Sequence, residues 1–313
     1  LWIGTSRGLD RYDAEKDRFI HFPGPGIQSG EPDPGHSTRL SIVRANTMLE
    51  DDEGRLWIGT QKDGLLRYDP ATDELVSYTP NDTLHPLGSW TALALDADGL
   101  GNIWVGTLNG GLSRIDMLTG VIQSFVHDPE EPGGLIDNTI TAIMQDSSGR
   151  FWIGANSGLY QFDTLDGSVE RTPLTDTVYS ILEDEKGDLW ASTNTGITRF
   201  EPVTETLSLF DRSDGLQGSE FKPGSFFVDE SGNFYFGGLD GLTVFNPGNV
   251  QENPYLPPVV LTGLTSSGVP IESEIPPDQI EEFTLHWPDN SFDFTYAALS
   301  YIQPEENRFA YML

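Results

Sequence analysis

The sequence contains no cysteine, and its 313 residues hold only 17 lysines and arginines against 49 aspartates and glutamates. Without thiols, disulfide frameworks, thiolate metal sites, CxxC redox centres and cysteine nucleophiles are all excluded. The formal charge of -32 at pH 7 repels phosphate backbones and anionic lipid surfaces, so no nucleic acid partner is expected through this region. Long apolar runs are missing too. Nothing approaches the roughly 20 residues a membrane-spanning helix needs, so any membrane attachment is expected only from segments outside this chain. The opening residues lack a basic stretch followed by an apolar one, and a targeting signal is likewise expected elsewhere. What is abundant is glycine, at 34 residues, and proline, at 21, together with 7 Trp, 10 Tyr and 17 Phe. That composition suits many short strands joined by turns better than long helices.

One phrase recurs: Leu1-Trp2-Ile3-Gly4-Thr5, Leu56-Trp57-Ile58-Gly59-Thr60, Ile103-Trp104-Val105-Gly106-Thr107, Phe151-Trp152-Ile153-Gly154-Ala155, Leu189-Trp190-Ala191-Ser192-Thr193 and Phe234-Tyr235-Phe236-Gly237-Gly238. Its aromatic centres are spaced by 55, 47, 48, 38 and 45 residues, close to the roughly 40 to 50 residues of a propeller blade. The surroundings repeat as well. An apolar alternation such as Thr91-Ala92-Leu93-Ala94-Leu95-Asp96 reads as a strand a, and an acidic glycine turn follows it. The tryptophan phrase is strand b, Gly64-Leu65-Leu66-Arg67-Tyr68-Asp69 and its counterparts are strand c, and stretches such as Leu75-Val76-Ser77-Tyr78 are strand d. Four antiparallel strands per repeat describe a propeller blade covered on both faces by its neighbours. In Leu56-Trp57-Ile58-Gly59 the period of two puts Trp57 and Gly59 on one face and Leu56 and Ile58 on the other. The glycine leaves room for the adjoining sheet to come close. The fold class expected is all-β, a β-propeller of six recognisable blades with the first incomplete, over residues 1–250.

These repeats resemble the two-component regulator propeller family, whose consensus is close to the D-x-x-G-x-L-W-I-G-T-x-x-G-L-x-R-Y-D string found here. The resemblance implies a seven-bladed propeller from which this set is cut, belonging to the extracytoplasmic sensor region of a hybrid two-component histidine kinase. After Asn246-Pro247-Gly248 the repeat stops, and Pro254, Pro257 and Pro258 mark a linker. Pro258-Val259-Val260-Leu261-Thr262-Gly263-Leu264, Phe283-Thr284-Leu285-His286-Trp287, Ser291-Phe292-Asp293-Phe294-Thr295-Tyr296 and Arg308-Phe309-Ala310-Tyr311-Met312-Leu313 each read as strands of a partial immunoglobulin-like β-sandwich over residues 251–313. This segment is similar to the three-Tyr domain that follows such propellers, through Ala298-Leu299-Ser300-Tyr301, Pro304-Glu305-Glu306-Asn307-Arg308, Tyr311 and Leu313, with Phe309 replacing one tyrosine. That resemblance implies a connection to a transmembrane helix and a kinase, a periplasmic or extracellular location for this chain, and a homodimer.

Catalytic and metal chemistry finds little support. Gly4-Thr5-Ser6-Arg7-Gly8 matches the G-x-S-x-G pattern, but it sits in a b–c turn rather than a strand-to-helix elbow. The five histidines, His21, His36, His85, His127 and His286, show no zinc spacing. Asp96-Ala97-Asp98-Gly99-Leu100-Gly101-Asn102 alternates oxygen ligands as a Ca²⁺ loop does, yet it lacks the distant bidentate glutamate. No catalytic residue, metal or cofactor is therefore expected.

Topology points to a binding face instead. The b–c turns and the long d–a connections emerge at one end of the propeller, and long loops on a rigid scaffold are where binding usually resides. The ligand-binding residues expected there are Arg44, Asn46, Lys62, Trp90, Asn109, Asn138, Asn156, Tyr179 and Asn194, whose amides and rings suit sugar hydroxyls and ring faces. The expected function is non-catalytic sensing of a small molecule or oligosaccharide, relayed through the sandwich to a membrane-bound kinase. The overall charge disfavours a strongly anionic ligand unless local Arg and Lys groups overcome it. The alternatives are a propeller lyase or glycosidase, and a protein-interaction scaffold.

Overall fold

The computed structural model describes residues 2–5, 8–23, 44–83, 86–130, 133–250, 258–266, 268–270, 276, 279 and 292–298. Contacts divide the chain into two units, Leu1–Val250 and Gln251–Leu313.

The first unit is a β-propeller. Blade I holds β1 (Trp2–Thr5), β2 (Gly8–Asp13) and β3 (Arg18–Pro23). Blade II holds β4 (Ala45–Glu50), β5 (Leu56–Thr60), β6 (Leu65–Asp69) and β7 (Glu74–Tyr78). Blade III is β8 (Ala92–Ala97), β9 (Asn102–Thr107), β10 (Leu112–Asp116) and β11 (Ile122–Phe125). Blade IV is β12 (Ile140–Gln145), β13 (Phe151–Ala155), β14 (Gly158–Phe162) and β15 (Val169–Arg171). Blade V is β16 (Val178–Glu183), β17 (Leu189–Thr193), β18 (Ile197–Glu201) and β19 (Thr206–Phe210). Blade VI is β20 (Phe221–Val228), β21 (Phe234–Gly238) and β22 (Leu242–Phe245). Each sheet is an antiparallel meander in chain order. Blade I has strands b to d, as its sequence implies. Blade VI also has only three strands among the described residues, because a short 3-10 turn at Pro247–Asn249 stands where strand d would begin.

Burial follows the period-two reading. Trp57 joins Leu65 and Tyr78 against Ile103, Val105 and Ile115 of blade III. Leu56 and Ile58 pack the other way, against Leu9, Ile20 and Phe22 of blade I. The same pattern makes cores between blades III and IV, IV and V, and V and VI. The strand b glycine is what permits contact: a methyl on Gly154 would lie 2.5 Å from Cγ1 of Val178, the first residue of the next blade's inner strand.

The tryptophans are fixed from the a–b turns. Asp51, Asp98, Asp146 and Asp184 each accept the indole N–H six residues on, at 2.8, 3.0, 2.8 and 2.9 Å. Asp229 accepts the Tyr235 hydroxyl at 3.0 Å in the same place. The second carboxylate oxygen takes the backbone N–H groups two and four residues on, as Asp146 does from Ser148 at 3.0 Å and Arg150 at 2.8 Å. Burial by itself would raise these carboxyls, yet the hydrogen bonds outweigh it and hold Asp51, Asp98 and Asp146 below the ordinary range. Asp98, the centre of the calcium-like motif, is therefore occupied by this turn. From strand c, an arginine lies over the indole face at 5.6 to 5.8 Å in blades I, II, III and V. Blade IV has Gln161 opposite Trp152 and uses Arg150 at 5.3 Å.

The second unit pairs β23 (Val259–Ser266) with β24 (Val269–Pro270) and β25 (Phe292–Ala298) in one antiparallel sheet. The strands expected over residues 283–287 and 308–313, and the three-Tyr motif from Leu299 onward, lie outside the described residues. Among the described residues no helix is long and apolar enough to cross a membrane.

Candidate functional site

The inner strands of blades II to VI surround an axis, and β20 comes within contact of β4, β8 and β12 across it. The axis holds a cavity of about 920 Å³. Its wall includes Arg44, Asn46 and Met48 from blade II, Thr91, Leu93, Leu95 and Asp96 from blade III, Ile143 from blade IV and Lys222 to Phe226 from blade VI, with Gln61 and Leu108 from the b–c turns. Apolar side chains thus share the wall with amide, hydroxyl and charged groups.

Each inner strand enters the axis through an irregularity. In blades II to V one extra residue bulges next to the first pair, between Ala45 and Thr47, Ala92 and Ala94, Ile140 and Ala142, and Val178 and Ser180. Blade VI departs from this. Phe221 pairs Gly238 and Phe226 pairs Phe236, so residues 222–225 have no register partner and stand exposed at the cavity. Pro223, which cannot donate to a ladder, and Gly224, at φ +69°, make the detour feasible.

The rim is tied between blades. The Thr91 hydroxyl donates to the Gln61 carbonyl at 2.6 Å, that of Thr139 to Asn109 Oδ1 at 3.2 Å, and that of Thr177 to the Asn156 carbonyl at 3.0 Å. In each case the residue ahead of an inner strand fastens the b–c turn of the preceding blade. The Asn46 side-chain amide adds a link to the Ala92 carbonyl at 3.0 Å.

Of the nine residues expected from sequence, Arg44 and Asn46 line the cavity. Lys62, Trp90 and Asn109 are each one residue from a lining residue and do not line it themselves. Trp90 is 43% exposed, and its carbonyl accepts the Gly64 N–H at 2.9 Å. Asn109 sits at φ 59°. Asn138 secures its own loop by accepting the His127 N–H at 2.7 Å. Asn156 and Asn194 are exposed turn residues. Tyr179 packs beside the core between blades V and VI, where burial first and Glu220 second raise its phenol. Lys222, Gln61, Thr91 and Asp96 were not anticipated as wall residues. Ser6 and Arg7 of the G-x-S-x-G match, and His36, His85 and His286, lie outside the described residues. His21 pairs with Asp10 at 2.6 Å, and His127 meets the Leu135 carbonyl at 2.6 Å. Among the described residues no group of three or more His, Asp or Glu is placed to hold a metal.

Residues 40–62, 134–157 and 173–195 match the two component regulator propeller family. These three segments fall in blades II, IV and V and resemble the repeat of that family. The chain is 28% identical to Histidine kinase P4 of Formosa agariphila, along all of this chain and 20% of that protein. It superposes on the extracellular domain of BT3049, a candidate hybrid two component system of B. thetaiotaomicron, with a TM-score of 0.68 and 26% identity over 95% of this chain and 39% of that one. PorZ of Porphyromonas gingivalis shares the fold, at a TM-score of 0.58 and 17% identity over 85% of this chain and 43% of that one. This chain thus spans less than half of each of these relatives.

Proposed function

We propose that this chain is the non-catalytic ligand-sensing region of a membrane-bound two-component receptor, facing the periplasm or exterior and binding an oligosaccharide in the axial cavity. The observation that carries this reading is the cavity itself: about 920 Å³, within the range of ligand pockets, and framed by a rim whose hydroxyl links hold the turns in place before any ligand arrives. Arg44, Asn46, Lys62, Trp90 and Asn109 would form its entrance, and Asn138, Asn156, Tyr179 and Asn194 the adjoining end of the propeller. Residues 251–313 would relay the change, through a homodimer, to a kinase beyond the membrane. For a signal to result, the ligand must favour one of two arrangements by a differential affinity.

The test is thermal unfolding of the chain against oligosaccharides of two to four units. A binding sugar should raise Tm, and Gln61→Trp, which puts an indole into the cavity from an exposed turn, should abolish the shift while leaving the unliganded Tm within a few degrees. A shift of equal size in the filled variant would place the ligand elsewhere.

A further inference from the structure

In a chain with a formal charge of -32, the axial cavity is an electrostatic exception. Two cations line it, Arg44 and Lys222, against a single carboxylate, Asp96, among the described wall residues. Arg44 directly precedes the first residue of β4, and Lys222 stands on the four-residue detour of β20. The two segments meet: a methyl on Gly224 would lie 3.1 Å from the Asn46 carbonyl oxygen. The irregularity peculiar to blade VI therefore carries a lysine to the side of the cavity where the arginine already sits.

We propose that Arg44 and Lys222 form an anion-recognising pair and that the ligand is an acidic saccharide, bearing a carboxylate or a sulfate. This rests on the axial cavity being the binding site. Three physical arguments favour it. Charge-assisted hydrogen bonds to a carboxylate or sulfate are about twice as strong as neutral ones, and arginine can offer two in parallel. The remaining wall groups, the Asn46 and Gln61 amides and the Thr91 hydroxyl, suit sugar hydroxyls. The negative charge of the whole molecule does not outweigh the pair, because at physiological ionic strength interactions fade over a Debye length of about 8 Å, and among the described wall residues the two cations outnumber the one carboxylate. Glu220 stands 3.8 Å from the Lys222 ammonium. Both side chains are roughly half exposed, so their attraction is weak and screened, and it tempers the lysine without neutralising it.

The experiment is calorimetric titration of the full chain with uronic-acid oligosaccharides, sulfated oligosaccharides and neutral hexose oligosaccharides, all of two to four units. An acidic member should bind at least tenfold more tightly than its neutral counterpart, and which acidic series binds identifies the anionic group. Lys222→Gln and Arg44→Gln should each weaken that binding about tenfold, and raising salt from 50 to 300 mM should weaken it for the wild type more than for either variant. Glu220→Gln should tighten it. All three positions are exposed, so circular dichroism and Tm should be unchanged. Binding of a neutral sugar that is lost in Gln61→Trp but indifferent to both charge variants would overturn the acidic ligand while leaving the cavity as the site. Acidic-sugar binding that survives Gln61→Trp would overturn both. Binding of no acidic member would also overturn the proposal.

Discussion

At the scale of single residues, aspartates two positions apart do opposite things. Asp98 is held ionised by hydrogen bonds from its own turn. Asp96, at the cavity wall, has among the described residues the Gln145 and Ala97 backbone amides at 3.0 and 2.9 Å. Burial pushes its carboxyl up to about 6, those amides pull back only in part, and the charge of Asp98 adds to the rise. An unfolded aspartate titrates near 3.9. The folded state therefore binds the proton more tightly, and the stability this confers is complete below about pH 4 and lost as pH rises through about 6. Asp96→Asn should remove that slope. Relative to wild type, its unfolding free energy should improve by about 1 to 2 kcal/mol between pH 4 and 7.5, the lower end reflecting the partly solvated wall. Urea titrations at each pH would show it, and a difference that stays constant with pH would refute the elevated carboxyl.

At the scale of elements, the distance between sheets is set by one position in strand b. A methyl on Gly106 would fall 2.7 Å from the Ile140 carbonyl oxygen and 2.9 Å from its Cγ2. Gly106→Ala should therefore cost about 1 to 3 kcal/mol by forcing blades III and IV apart, readable as a lower midpoint in denaturant at unchanged m-value. Blade V shows how a larger residue is accommodated: Ser192 takes the glycine's place, and its hydroxyl pairs with Ser180 at 2.5 Å. This level of the fold was legible beforehand, because the period of two and the recurring Trp-x-Gly state which side chains share a face, although which neighbouring blade each face meets is visible only in the packing. The wall of the cavity was not. Lys222-Pro223-Gly224-Ser225 looks like an ordinary turn in the sequence, and only the pairing of Phe221 with Gly238 and of Phe226 with Phe236 reveals a detour into the axis. The asparagines of the rim were visible as turn residues, but whether an amide faces a ligand or, like Asn138, clamps its own loop depends on contacts that local patterns do not encode.

At the scale of the molecule, the propeller is a series of six sheets joined by five separate cores. Stability in such an array is approximately a sum of repeat and nearest-neighbour terms. Blades II to V have a core on each side. Blade I leaves Phe19 at 57% exposure, and blade VI leaves Phe227, Leu242 and Val244 at 61, 58 and 49%. Native-state hydrogen exchange should accordingly find the slowest amides in β5, β9, β13 and β17 and faster exchange in β2 and β21, by one to two orders of magnitude. Uniform protection across all six blades would show that the sheets open together. The aspartate-bound indoles also have an optical consequence. Trp57, Trp104, Trp152 and Trp190 are at most 2% exposed and form a shielded, short-wavelength emission background, whereas Trp90 stands in water beside the cavity entrance. The difference in red-edge emission and in neutral-quencher access between the wild type and Trp90→Phe therefore reports on the entrance, so occupancy of the cavity can be followed without attaching a dye.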